Sequence, residues 1–132
     1  MIKLERGKYH QILYLIAAIW NWILAITFVV LPRIDLAYFE LSGMDAPPTL
    51  LWFDGFFLLV FIMGIGFYII SQSTEKNHGI IKMGLVEKPM VFILGLDYFL
   101  IAQASFLVVV FVTVDLIFGL LFLEDFFKIK KS

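Results

Sequence analysis

The sequence predicts an all-α polytopic membrane protein: an antiparallel bundle of four transmembrane helices in a single domain, 1–132. Three observations carry this prediction: the composition, four apolar stretches separated by polar breaks, and the one-sided placement of the basic residues. The 132 residues are 62% hydrophobic, 17% aromatic and only 16% charged, with a mean hydropathy of +0.98. A soluble domain of this size cannot hide that much apolar surface, so its solvent is lipid. The formal net charge of -1, with no basic stripe interleaved with aromatics, argues against a nucleic-acid partner. Cysteine is absent, which removes disulfides, thiol redox chemistry and Cys-ligated metals.

The first helix is expected at about 11–31. A short lead with Lys3, Arg6 and Lys8 precedes an apolar run from Ile12 to Leu31. That run exceeds the apolar region of a signal peptide and no A-x-A-like site follows, so it reads as a retained helix, stopped by Pro32. At mid-span it carries Trp20, Asn21 and Trp22. Tryptophan ordinarily lines the interface, so indoles at this depth suggest a packed interior or cavity wall, or else lipid-facing bulk. Asn21 has Ala17, Ala18 and Ala25 as its three- and four-residue neighbours, a small-residue face on which another helix can approach.

Residues 33–42 suit a short interfacial helix ended by Gly43, with Asp35, Glu40 and Asp45 solvated rather than holding a cation. The second span is expected at about 50–71, with Trp52 as an interface anchor and Asp54 one turn in. Gly55, Ile62, Gly66 and Ser73 recur near whole-turn spacing and predict a contact seam. Gly64-x-Gly66 is a helix-packing pair, because no strand precedes it as a phosphate loop requires.

A polar connector, 71–89, leads into the third helix, expected at about 80–103. Starting at Pro89 it would be too short to span, so it is expected to begin near Gly79 to Lys82, with Lys82 and Lys88 reaching the headgroups and Pro89 kinking it. It carries Asp97. Gln103, Ala104 and Ser105 form a tight turn into the fourth helix, about 105–124. Its eighteen residues Phe106 to Leu123 are broken only by Asp115. An acid at that depth costs roughly 2.5 to 3.5 kcal/mol unless it is neutral or paired.

Nine of the ten basic residues fall on one side of this topology and Arg33 alone on the other. The positive-inside rule therefore places both termini in the cytoplasm, in a membrane of the bacterial inner type. Asn21 and Asp115 each lie ten residues from the opposite side, about 15 Å at 1.5 Å per residue, so they share the midplane. Asp115 is expected to be held inward by Asn21 or, as a rival, by the long side chain of Lys88. His10 and His78 are read as solvated histidines of the cytoplasmic flanks. With no histidine inside a span, a bis-histidine haem and nucleophilic triads are excluded, and no metal site is expected. Small multidrug transporters match in size, but they would want an acid in helix 1.

The order of these features resembles the DoxX-like small four-helix membrane proteins. The matching elements are Trp20-Asn21, Pro32, the Gly64, Gly66, Tyr68 run, a polar turn with His78, GLVEK ending in Lys88, and VDLIFGLLF around Asp115. The resemblance implies a four-helix bundle, interior polar positions at Asn21, Lys88 and Asp115, and, for some relatives, association with quinone-linked redox complexes. Asp97 and Glu87 lie outside that pattern.

Three functions are compatible with these readings. The first is a non-catalytic accessory subunit that packs against a membrane-protein partner or a second copy, with no cofactor. The second is a binder or carrier of a lipophilic molecule such as a quinone or lipid, with Trp20, Trp22, Asn21, Tyr68 and Asp115 as interior candidates. The third is a proton-coupled transporter or membrane enzyme using Asp115 and Asp97. No catalytic residues are assigned.

Overall fold

The computed structural model describes residues 5–40, 45–73 and 76–131, with side chains up to 129. These residues form five helices: α1 (Arg6–Ile34), α2 (Ala37–Glu40), α3 (Leu51–Ser71), α4 (His78–Leu100) and α5 (Phe106–Lys131). There is no strand among the described residues.

The helices α1, α3 and α5 are each long and apolar enough to cross a membrane. The sequence predicts four such helices, and three meet the description. At 23 residues α4 is long enough, but it carries Lys82, Glu87, Lys88 and Asp97. The outward faces are apolar: Ile16, Ile23, Ile26, Leu58, Leu59, Ile93 and Leu120 are all at least half exposed. Bilayer contact accounts for such surfaces where water cannot.

Several helix ends differ from expectation. Pro32 does not stop α1, which runs on to Ile34. Proline removes only its own N–H, and the Asp35 N–H still bonds the Leu31 carbonyl at 3.1 Å. Among the described residues the interfacial helix is the turn Ala37–Glu40, opened by Asp35 Oδ1 accepting from the Ala37 N–H at 2.9 Å. Phe39 of this turn packs on Phe53 with ring centroids 4.8 Å apart. Gly43 lies outside the described residues. The last span continues to Lys131 instead of ending near 124. At the other turn α4 stops at Leu100, with Ala102 left-handed (φ 61°) and Gln103 N–H bonding Tyr98 O at 2.8 Å, a helix-ending motif that usually employs glycine.

The buried positions of α5 are Val112, Asp115, Gly119, Phe122, Asp125 and Ile129, and α4 repeats the rhythm with Ile81, Gly84, Lys88 and Gly95. Three- and four-residue steps of this kind draw the narrow stripe of a helix facing near-parallel neighbours. Pairing is unequal. Close backbone approach joins α1 to α3 and α4 to α5, while few positions of α3 approach α4, or of α1 approach α5. The molecule is therefore two helical hairpins laid side by side.

Glycine decides how closely each hairpin packs. A Cβ at Gly64 would lie 2.6 Å from Trp22 Nε1, one at Gly95 2.7 Å from Val112 Cγ1, and one at Gly119 2.9 Å from Lys88 Cβ. Lipid tails solvate apolar helices as well as leucine does, so such contacts hold the helices together by dispersion, not by hydrophobic burial. Of the predicted seam, Gly66 does meet a neighbour, a Cβ there lying 3.1 Å from Ile80 Cγ2, but Gly55 and Ile62 are off the contact face. A Cβ at Gly55 would meet nothing within 4 Å and Ile62 is 50% exposed, because the helix turns Gly64 and Phe67 toward its neighbours instead.

The hairpins meet through a layer of rings. Tyr14 stacks on Phe122 with centroids 4.4 Å apart, and Phe67 closes on Phe122 at 5.1 Å. All three are fully buried, with Ile70, Ile81, Ala17 and Ala18 around them. This layer fills the half of the bundle nearer the chain termini.

Candidate functional site

Consecutive residues of a helix point about 100° apart, and Trp20, Asn21 and Trp22 use this to reach three different neighbours. Trp20 faces α5 and donates from Nε1 to Asp115 Oδ1 at 3.2 Å. Asn21 faces the bundle centre and donates from Nδ2 to the Val60 carbonyl of α3 at 3.1 Å. Trp22 turns to the other side of α3, covering Gly64 and lying near Phe61 and Tyr68.

Lys88 completes the centre. Its Nζ donates to Asp115 Oδ1 at 2.8 Å and to Asn21 Oδ1 at 3.0 Å, linking α4 to its hairpin partner and to the diagonally opposite α1. The ammonium also sits 5.2 Å above the Phe67 ring. Lys88 is 1% exposed, so the expectation that it reaches the headgroups fails: its stem passes over Gly119 toward Asp115, where the absent side chain leaves room. The expected choice between Asn21 and Lys88 as partner of Asp115 takes a joined form, with Lys88 between the two. An ammonium has three protons and hydrogen bonds take two of them, leaving the third without a hydrogen-bond acceptor, near Glu87 Oε2 and the Phe67 ring. Asp115 Oδ2 likewise accepts no hydrogen bond among the described residues, since Oδ1 receives both donors. Beside them Glu87 Oε2 is buried without a hydrogen bond, 3.7 Å from Lys88 Nζ.

These groups form the floor of a cavity of about 400 Å³ between the hairpins. Phe28 of α1, Phe53, Phe56 and Phe57 of α3 and Phe111 of α5 supply aromatic walls, with Leu24, Val60, Val91, Leu94, Val108 and Val112 between them and Tyr98 and Ala104 toward the α4–α5 turn. The rings hold one another back from the centre: Phe28 stacks on Phe57 at 5.0 Å and meets Phe111 edge-on at 5.6 Å. An apolar enclosure of several hundred cubic ångströms with a few convergent polar groups at one end has the form of a small-molecule site. The larger groove, about 590 Å³ between α1 and α3, is a weaker candidate, because its polar groups Arg33 and Asp54 already pair at 2.6 Å.

Of the expected interior residues, Asn21, Lys88 and Asp115 come together and Trp20 supports them. Trp22 and Tyr68 meet at a tilt outside the cavity, with ring centroids 6.0 Å apart, and Asp97 is exposed on α4, so none of these three reaches the site.

The histidines also depart from expectation. His10 is fully buried within α1, its Nδ1 2.5 Å from Asp125 Oδ2, and Arg6 bonds the other oxygen of Asp125 at 3.3 Å and Glu124 at 3.1 Å. His78 is half-buried, set edge-on against Phe126 at 5.8 Å. The depth argument that levels Asn21 with Asp115 also levels His10 with Asp125, twenty-one residues from Leu31 and twenty from Ser105. That signal was available in the sequence. Nothing in the sequence marked Glu87 or the phenylalanine walls as one surface. Among the described residues, no group of three or more His, Cys, Asp or Glu side chains could hold a metal ion. Comparison of the chain with protein-family models, with curated proteins and with solved structures found no match.

Proposed function

We propose that the protein is an integral membrane binder or carrier of a neutral lipophilic molecule with a carbonyl or hydroxyl end, held in the cavity between the two hairpins. The observation that carries this reading is the cavity's polarity: phenylalanine walls ending on one spare ammonium proton and one spare carboxylate oxygen. A carbonyl oxygen suits the Lys88 proton and a hydroxyl suits Asp115 Oδ2. Lys88 is already flanked by the carboxyl groups of Asp115 and Glu87, so the floor has no unbalanced cation for an anionic ligand and favours a neutral one. A quinone satisfies this description, as the likeness to DoxX-like proteins also suggests. An accessory-subunit role would need no such cavity.

In this reading α4 is the fourth span. Its 23 residues reach about 35 Å, and its most central charge is turned inward onto Asp115, while Met83, Val86, Met90 and Ile93 face outward. Both termini lie in the cytoplasm, by the excess of basic residues there. Ligand enters from the bilayer between α3 and α4, where Phe56, Leu94 and Tyr98 are exposed at the cavity rim.

Native mass spectrometry of the chain purified from membranes tests the binding. A lipophile bound one to one should survive in the wild type and disappear in Val108→Phe, which puts a ring into the cavity. Equal ligand occupancy in both would contradict the assignment. Because the chain has no cysteine, orientation is tested by single cysteines. One at Asp45 should react with an impermeant maleimide in intact cells, and one at Lys128 should not.

A further inference from the structure

We infer that Lys88 is a covalent carbonyl-binding residue, which captures a lipophilic aldehyde in the cavity as an imine with Asp115 as its counter-ion. The inference rests on the ligand-cavity reading and adds a reaction to it. Schiff-base lysines are amines desolvated in an apolar pocket, and a carboxylate beside such a lysine serves as proton acceptor and as counter-ion of the protonated imine. Here the parts are in reach of one another. Asn21, fixed by its bond to the Val60 carbonyl, aims Oδ1 at Lys88 and holds Nζ at the cavity floor. Asp115 Oδ1 lies 2.8 Å from Nζ, near enough to take a proton directly. Glu87, with its buried oxygen free of hydrogen bonds, is a second carboxyl at the same floor.

The steps balance without any further reactant. The ammonium of Lys88 passes one proton to Asp115, and the freed amine pair attacks the aldehyde carbon, forming the C–N bond as the C=O π pair moves to oxygen. That oxygen takes up the proton that nitrogen sheds through the carboxylates, giving a neutral carbinolamine. The proton held by Asp115 then goes to the hydroxyl, the C–O bond breaks and water leaves. The product is a protonated imine, so the cation of Lys88 persists and Asp115, again a carboxylate, remains its partner. The charge pattern of the bundle centre is the same before and after.

The chain also suits a selective test, because it has no cysteine to compete for the aldehyde. The full-length protein in detergent is incubated with dodecanal and cyanoborohydride, and alkylation is mapped by peptide mass spectrometry. Lys88 should be alkylated ahead of the exposed Lys8 and Lys82 although it is buried. Asp115→Asn should slow the reaction at Lys88 by roughly 100-fold, the low end of what a positioned proton acceptor and donor contributes, and leave Lys82 unchanged. Should that variant not fold, Val108→Phe serves instead, because a ring in the cavity must suppress alkylation at Lys88 alone. Alkylation of Lys88 no faster than of Lys82, or unaffected by Val108→Phe, overturns the inference. Dodecanol, which cannot form an imine, separates the two levels. If it binds saturably by tryptophan fluorescence while Lys88 stays unmodified by dodecanal, the cavity stands and the covalent step falls; if it does not bind either, both fall.

Discussion

The two halves of the bundle are built from the same residue types and pack in opposite ways. Toward the termini, Tyr14, Phe67 and Phe122 close on one another across the hairpins and leave no exposed surface. Toward the loops, Phe28, Phe53, Phe57 and Phe111 close on one another around the walls and leave about 400 Å³ between them. Aromatic content therefore does not define a core. What separates the halves is where the small residues fall: Gly84 lets Phe67 cross to α4, with 2.9 Å from a would-be Cβ to the ring, whereas Gly95 is spent inside its own hairpin on Val112. The boundary is the Lys88, Asp115 and Asn21 group, and it tops the filled half with the polar atoms that the hollow half needs.

The largest expected effect comes from breaking that boundary. Lys88→Met or Asp115→Asn alone strands a buried partner and should cost about 3–5 kcal/mol, read as lowered unfolding midpoints in detergent. The double variant Lys88→Met, Asp115→Asn should lose less than the sum of the two single ones, because the second change no longer strands a partner. Losses that simply add would mean the pair is not coupled.

Next comes a contrast between the halves. Gly84→Leu forces a side chain into the Phe67 ring and should destabilise by roughly 1–3 kcal/mol, the usual cost of overpacking. Val108→Phe adds comparable bulk beside the cavity and should leave the melting temperature unchanged or raised. Equal losses would erase the distinction between filled and hollow.

A smaller effect is expected at the termini end. Asp125→Asn weakens the bonds to His10 and Arg6 and should cost about 1.5 kcal/mol, the low end for charge-assisted hydrogen bonds. Smaller still, Ala102→Gly relieves a left-handed backbone that alanine tolerates poorly and should gain about 0.5–1 kcal/mol. A loss there would mean the turn needs its methyl group.

The all-helical fold, the order of its helices and three of the four expected spans were legible in the sequence, because apolar runs and polar breaks are set by the solvent and not by neighbours. Ends failed where local chemistry was read as a stop, as at Pro32, or where charges hid a continuing helix, as after Leu123. The midplane group was legible from depth, since Asn21 and Asp115 are equally far from their loops. The cavity was not. Its walls depend on which way each phenylalanine turns, and that is decided by crossing helices whose pairing no local spacing records. His10 is an intermediate case: depth puts it level with Asp125, but only the packing of α1 on α5 brings the two side chains together.

The most direct test of the central claim is fluorescence from Trp20 alone, in a Trp22→Phe, Trp52→Phe background, because its indole bonds the carboxylate at the cavity floor. Titration with decylubiquinone, a neutral probe with two carbonyls, should quench Trp20 saturably, and Val108→Phe should abolish the saturable part. Quenching that rises linearly with probe in the micelle, identical in both proteins, would contradict a ligand site between the hairpins.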